Sequence, residues 1–194
     1  LHDVLWGAIP EFTMPSVSLN RTGKAEGELA GGNLSILYAL NGTSSEVNYD
    51  GKILFIEDLD EYLYHVDRMM MTLKRAGKLA NLAGLVIGGT TKMNDNSIPF
   101  GKQAEEIISE AVAGYNFPVC FGLPAGHIDK NMALIMGRNV TLNVQADIVS
   151  LSFSKAKKPD FTGRSIFRML KPALLFLVFF LLIYLLYSLI LKPH

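Results

Sequence analysis

Two acidic residues and a histidine stand where short apolar runs end, and their types suit proton transfer. Glu57 and Asp58 follow the run GKILFI, and His127 closes the segment PAGH after the run PVCFG. Histidine titrates near neutrality, and a carboxylate that accepts a hydrogen bond from its ring fixes the tautomer needed in a general base. The residues therefore suggest acid–base chemistry centred on a carboxylate–imidazole pair.

Such a pair has nothing to activate unless a nucleophile joins it. The sequence has no G-x-S-x-G elbow, and its one cysteine, Cys120, lies inside an apolar run where a small buried thiol is expected. His65 is expected at a solvated helix position, and Asp60 and Glu61 are expected to cap that helix. No H-E-x-x-H motif or cysteine pair is present, so we predict neither a metal nor a cofactor.

The hydrophobic pattern predicts the elements that position the pair. Buried strands are predicted at 51–56, 83–89 and 118–122, with amphipathic helices at 60–79 and 102–115 between them. In such units the crossovers are right-handed and the carboxyl ends of the strands meet at one edge. The short runs ALIMG, VTLNV and VSLSF then predict a β-rich end to an α/β domain.

The distribution of charge excludes one class of partner. The 194 residues carry 18 Lys and Arg and 18 Asp and Glu, but residues 1–154 hold 11 basic residues against 17 acidic ones. Nucleic-acid binding needs a concentrated positive face. The globular part is mildly acidic, so we predict no nucleic-acid partner.

The last forty residues differ from the rest in composition. Residues 173–191 are uncharged and almost wholly apolar, and as a helix they would span about 28 Å, close to the hydrocarbon core of a bilayer. We predict a basic linker at 154–171 and a transmembrane helix at 172–192. The basic flank places the domain on the cytoplasmic face of the inner membrane. Residues 1–30 are irregular and are predicted to be a connector.

Four segments in order resemble a known family. LNRTGKAEGELAGGNLSIL, GKILFIEDLDEYLYHVDRMMMTLKRAGKL, LAGLVIGG and PVCFGLPAGHIDKNMALIMGRNVTL are similar to the C-terminal domain of the murein tetrapeptide LD-carboxypeptidases, which includes the microcin-immunity serine peptidases. The resemblance covers roughly residues 1–153. It implies a swivelling-type β/β/α domain with short parallel strands over 31–153, preceded by an N-terminal domain that is missing here.

The resemblance also implies roles for residues. The family uses a Ser–Glu–His triad without a metal, and the motifs place its glutamate at Glu57 and its histidine at His127. The serine belongs to the missing domain, so the fragment alone is predicted to be inactive. Gly32 and Asn33 match the family's GGNL motif and are expected to contact the substrate. The implied reaction is hydrolysis of the bond to terminal D-alanine in murein tetrapeptides during cell-wall recycling.

Several alternatives stay open from the sequence. The chain could be a catalytically inert, membrane-anchored module that binds muropeptides or acts as a scaffold. The enzyme could instead cleave a peptidyl-nucleotide antibiotic, since part of the pocket would lie in the missing domain. A domain separated from its partner is also expected to expose an apolar docking patch, which leaves a homodimer among the predicted partners.

Overall fold

A computed structural model describes residues 2–155 of the chain. They form one mixed sheet with helices packed on it. The strands are β1 (Glu11–Pro15), β2 (Gly23–Asn33), β3 (Ile53–Leu59), β4 (Gly84–Thr91), β5 (Val119–Cys120), β6 (Asn139–Val144) and β7 (Ile148–Phe153). The helices are α1 (His2–Leu5), α2 (Leu34–Leu40), α3 (Leu63–Arg75) and α4 (Ala104–Ala111).

Strand β2 joins a parallel and an antiparallel half of the sheet, whose order is β1-β7-β6-β2-β3-β4-β5. Its first part, Gly23–Glu28, pairs antiparallel with β6, whereas Leu29–Asn33 pairs parallel with β3. Strands β3, β4 and β5 continue the parallel half. The α/β class and the β-rich end predicted from the sequence are therefore confirmed, and the carboxyl ends of β2, β3 and β4 share one edge.

The polar end of β3 projects toward two different faces of the sheet. Ile56 packs in the cluster beneath the helices, and Phe55 packs in the cluster on the opposite face. Because side chains alternate along a strand, Glu57 continues the Phe55 face and Asp58 continues the Ile56 face. The carboxylates of Glu57 and Asp58, although adjacent in the sequence, therefore lie on opposite faces of the sheet.

Helix α3 is shorter than the predicted segment 60–79. It begins at Leu63, and its N-cap residue is Tyr62, so the predicted capping by Asp60 and Glu61 is wrong. The reason is a tight turn at the end of β3, where Asp60 has a φ of +60° and its carboxylate accepts a hydrogen bond from Asn94 at 2.8 Å. Asp60 thus holds a loop, and the Glu61 carboxylate contacts His65 and Ser35.

Two further segments depart from the sequence prediction. The run ALIMG (133–137) is not a strand. Residues 1–30, predicted as an irregular connector, include β1 and most of β2. Phe12 of β1 is buried against Phe153 of β7, with ring centroids 6.4 Å apart. The segment before residue 31 is thus part of the sheet, because strand pairing and one buried aromatic ring outweigh its weak apolar period.

The predicted fold class needs correction in its membrane component. Among residues 2–155 the longest helix is α3, with 13 residues, and at 1.5 Å per residue it reaches about 20 Å, short of a bilayer core of about 30 Å. No helix in this range is long and apolar enough to cross a membrane. The predicted helix at 172–192 and most of the predicted basic linker at 154–171 lie outside the described residues, and no transmembrane helix is part of the fold that residues 2–155 form.

Candidate active site

The structure brings Glu57 and His127 into direct contact. Glu57 lies near the carboxyl end of β3, and His127 lies in the loop that follows β5. The ring Nδ1 of His127 is 2.7 Å from Glu57 Oε2, and the backbone N–H of His127 donates to the same oxygen at 3.0 Å. One carboxylate oxygen therefore fixes both the ring and the main chain of the histidine.

The two partners differ in exposure. The side chain of Glu57 is 7% exposed, whereas that of His127 is 54% exposed. The hydrogen bond that the His127 ring donates to Glu57, together with the negative charge of Glu57, raises the pKa of His127 above the usual histidine value. A buried carboxylate thus makes an accessible imidazole a stronger base.

This contact leaves one ring nitrogen for chemistry. When Nδ1–H donates to Glu57, Nε2 of the neutral ring keeps a free lone pair. His127 lines an open cavity of about 570 Å³ with Leu59, Thr91, Lys92, Gly126, Ile128, Asp129 and Asn131. The pair can therefore accept a proton from a group that enters this cavity.

The loop that carries His127 is held on both sides. Thr91 Oγ1 donates to the carbonyl of His127 at 2.9 Å, and the side chain of Asn131 accepts from the N–H of Gly126 at 3.2 Å. Gly126 has a φ of +107°, and a Cβ there would lie 2.7 Å from Glu57 Oε2. Glycine is thus required for the loop to pack directly on the carboxylate.

Asp58 has a structural role that the sequence did not reveal. It is buried and accepts hydrogen bonds from the side chain of Asn33 at 2.8 Å, and from the backbone N–H and hydroxyl of Ser35 at 3.0 and 2.7 Å. Asn33 also caps α2 by accepting from the N–H of Ile36 at 3.2 Å. Asp58 reaches these residues because the register of β2 and β3 places Asn33 beside Glu57. The sequence does not specify this register.

The predicted substrate contacts, Gly32 and Asn33, occupy different places. Gly32 lines a second cavity, of about 360 Å³, whose other walls are largely apolar. Asn33 is not among its lining residues, since its side chain is engaged with Asp58 and α2. The remaining walls are Gly31, Phe55, Ala125, Gly126 and residues 131–134 and 136.

A second carboxylate–histidine pair joins His65 of α3 to Glu61, which lies just before this helix. Nδ1 of His65 is 2.9 Å from Glu61 Oε2, one helical turn away, and Glu61 also accepts from Ser35 at 3.2 Å. These residues line a separate cavity of about 190 Å³ with Tyr38, Arg68 and Met69. His65 is half-exposed, in keeping with the predicted helix surface position, and its pair offers an internal comparison for the Glu57–His127 pair.

Cys120 is unsuited to act as the nucleophile. It is fully buried in β5, and burial raises the pKa of its thiol to about 12. Among residues 2–155 there is also no group of three or more His, Cys, Asp or Glu side chains placed to hold a metal ion. Within this range the acid–base pair is the clearest chemical feature.

Comparison with known proteins assigns the chain to one family of hydrolases. The family model for the LD-carboxypeptidase C-terminal domain matches residues 26–142, and the chain belongs to this family, peptidase S66, whose members are serine carboxypeptidases. The resemblance drawn from the four sequence segments is thereby confirmed.

Two relatives of the chain are described as carboxypeptidases that act on murein peptides. A probable murein peptide carboxypeptidase of Bacillus subtilis (strain 168) is 37% identical over 125 residues, 62% of this chain and 38% of that protein. The murein tetrapeptide carboxypeptidase of Pseudomonas aeruginosa is 29% identical over 120 residues, 61% of this chain and 38% of that protein.

A solved structure agrees with these relatives. The muramoyltetrapeptide carboxypeptidase of Oxalobacter formigenes matches with a TM-score of 0.70 and 30% identity, covering 81% of this chain and 54% of that one. The chain spans about two fifths of the length of the curated relatives described above.

Proposed function

We propose that this chain is the C-terminal part of a serine-type LD-carboxypeptidase that releases terminal D-alanine from murein tetrapeptides. His127 is its general base and general acid, Glu57 orients and stabilises the His127 ring, and the nucleophilic serine comes from residues outside this chain. The substrate class is carried over from the relatives, which are murein peptide carboxypeptidases. The observation that carries the proposal is the 2.7 Å contact between His127 Nδ1 and Glu57 Oε2.

Each proton in the proposed reaction passes through His127. Nε2 takes the proton of the serine hydroxyl as its oxygen attacks the carbonyl carbon of the bond to D-alanine. The protonated ring then gives this proton to the leaving amine, and the bond breaks to leave an acyl-serine. A water molecule transfers a proton to Nε2 and attacks the ester, and the ring returns that proton to the serine. Glu57 stabilises the imidazolium at both stages.

The surroundings of His127 support an external nucleophile. The cavity that His127 lines contains no serine among the described residues, and the hydroxyl of Thr91 is engaged with the His127 carbonyl. The ring is 54% exposed, so a second protein segment can approach it. A tethered nucleophile that docks there would gain the rate advantage of fixed proximity.

The test is D-alanine release from a murein tetrapeptide by the full-length protein. We expect His127→Ala to lower kcat by about 10⁴-fold or more, and Glu57→Ala by a comparable factor, because the members of a triad act as a unit. The matched controls are His65→Ala and Glu61→Ala. They remove the second carboxylate–histidine pair and should keep activity within about threefold of wild type, since no step is assigned to it.

The outcomes of this test separate three claims: the site assignment, the enzymatic function and the substrate. Wild-type rates in His127→Ala or Glu57→Ala would refute the site assignment. Binding of the tetrapeptide without any D-alanine release by the wild type would favour an inert muropeptide-binding module. Cleavage of a peptidyl-nucleotide in preference to the tetrapeptide would keep the mechanism and overturn the substrate.

A further inference from the structure

A carboxypeptidase must recognise a charge very close to the bond it cuts. When the terminal residue is released, the free carboxylate lies one residue from the reacting carbonyl, about 3.8 Å along the chain. An uncompensated carboxylate taken into a partly enclosed site loses hydration free energy. A cation of this chain that binds it must therefore line the same cavity as the general base.

Only one lysine or arginine meets this condition among the described residues. Lys92 lines the cavity that contains His127, and the apolar cavity at Gly32 has no charged residue in its lining. Lys92 also takes no part in the ion pairs or side-chain hydrogen bonds found within residues 2–155. Its ammonium group is thus available to an anionic ligand.

The backbone holds Lys92 in a fixed relation to His127. It directly follows Thr91, whose hydroxyl donates to the His127 carbonyl at 2.9 Å. Lys92 has a φ of +53°, in the left-handed region that non-glycine residues disfavour. Unfavourable backbone conformations of this kind concentrate at functional sites, and this one turns the chain out of β4 at the rim of the cavity.

We propose that Lys92 binds the terminal carboxylate of the substrate and restricts the site to peptides that end in a free acid. This inference rests on the proposed function and adds a specificity-determining residue to it. The ammonium group forms a charge-assisted hydrogen bond with the carboxylate. Asp129 lies in the same cavity with the opposite charge, so it disfavours an anion and limits where the carboxylate can be placed.

The test compares two peptides in the full-length protein. One tetrapeptide ends in D-alanine and the other in D-alaninamide, and the measured quantity is the ratio of their kcat/KM values. We expect the wild type to prefer the acid by about tenfold or more, the strength of a charge-assisted hydrogen bond in a partly exposed site. In Lys92→Met the ratio should fall to within about threefold, mainly through KM for the acid, and Lys92→Arg should restore most of the preference.

Two further variants separate recognition from structure. Lys92→Gly removes the ammonium group and relieves the positive φ, so its fold is retained while the ratio still falls. Asp129→Asn removes the opposing charge and should keep or increase the preference for the acid. A purely structural role for Lys92 would lower both kcat/KM values together and leave their ratio unchanged.

The outcomes also keep this inference apart from the proposed function. D-alanine release by the wild type with an acid-to-amide ratio that Lys92→Met leaves unchanged would overturn the role of Lys92 alone. Absence of D-alanine release by the wild type would overturn both. A ratio near one in the wild type would likewise reject carboxylate recognition by Lys92.

Discussion

Glu57 illustrates how a single side chain can position the proposed catalytic histidine. Its Oε2 accepts hydrogen bonds from both the ring and the backbone N–H of His127, so ring orientation and loop position are set together. The carboxylate is buried and the ring is accessible. In the proposed mechanism, this division keeps the acid fixed while the base meets the serine of another segment.

The close packing of Gly126 on Glu57 leads to a prediction at the same scale. In Gly126→Ala the new methyl group would lie 2.7 Å from Glu57 Oε2. The Glu57 side chain and the loop that carries His127 must then move apart. Because misplacement by about 1 Å can cost on the order of 10²-fold in rate, we expect kcat/KM for D-alanine release to fall by that order. The measurement is the release assay, with unfolding by urea measured in parallel.

Gly42→Ala is the matched control for this change. Gly42 also has a positive φ, +77°, but no atom lies within 4 Å of a Cβ added there. Both variants should lose about 1–2 kcal/mol of stability from the positive-φ backbone. Gly126→Ala should lose more because of its clash with Glu57, and only Gly126→Ala should lose activity. Equal activities in the two variants would show that the pair tolerates the displacement.

At the scale of elements, the β3–α3–β4 unit was accessible to sequence reasoning and β2 was not. The apolar run of β3 and the helical spacing of Val66, Met70 and Leu73 follow simple periods. Strand β2 reads GKAEGELAGGN, rich in glycine and charge, which are both depleted in strands. It is a strand because β3 and β6 pair with it on either side.

The same contrast explains what could be foreseen of the site. Glu57 and His127 follow apolar runs, so the strand-end rule pointed to both. The engagement of Asp58 with Asn33 and Ser35 depends on the register between β2 and β3, and the position of Lys92 depends on a turn with positive φ. No periodic pattern of residues in the sequence encodes a strand register or a turn conformation.

Arg21 provides a prediction about how elements are joined. Its guanidinium donates to the carbonyls of Tyr115 at 2.6 Å, Val112 at 3.0 Å and Phe117 at 3.4 Å, at the end of α4. The Val112 carbonyl also accepts from the N–H of Tyr115 at 3.2 Å, so Arg21→Met removes the side-chain donor of the Tyr115 and Phe117 carbonyls. We expect a loss of about 2 kcal/mol in the free energy of unfolding. Urea denaturation of the chain measures it.

Lys24→Met is the control for Arg21→Met. Lys24 lies in β2, is exposed and takes no part in the ion pairs found within the described residues. Its replacement should change the free energy of unfolding by less than about 0.5 kcal/mol. An equal loss in both variants would indicate a general effect of net charge and would argue against a specific cap on α4.

At the scale of the whole molecule, the site lies where the parallel half of one sheet ends. The carboxyl ends of β2, β3 and β4 supply Gly32, Glu57 and Thr91, and the loop after β5 supplies His127. The antiparallel half carries none of these groups. It extends the sheet and covers the opposite core, with β1 closing its far edge through the buried Phe12.

The pH dependence of kcat/KM for D-alanine release, in wild type and in Glu57→Gln, tests the central claim most directly. The neutral ring of His127 is the base, so kcat/KM must fall as the pH drops through its pKa, which Glu57 raises. Gln at this position keeps an acceptor without the charge. We therefore predict that Glu57→Gln lowers the plateau and moves the acidic limb to lower pH. An acidic limb at the same pH in both proteins would contradict the account.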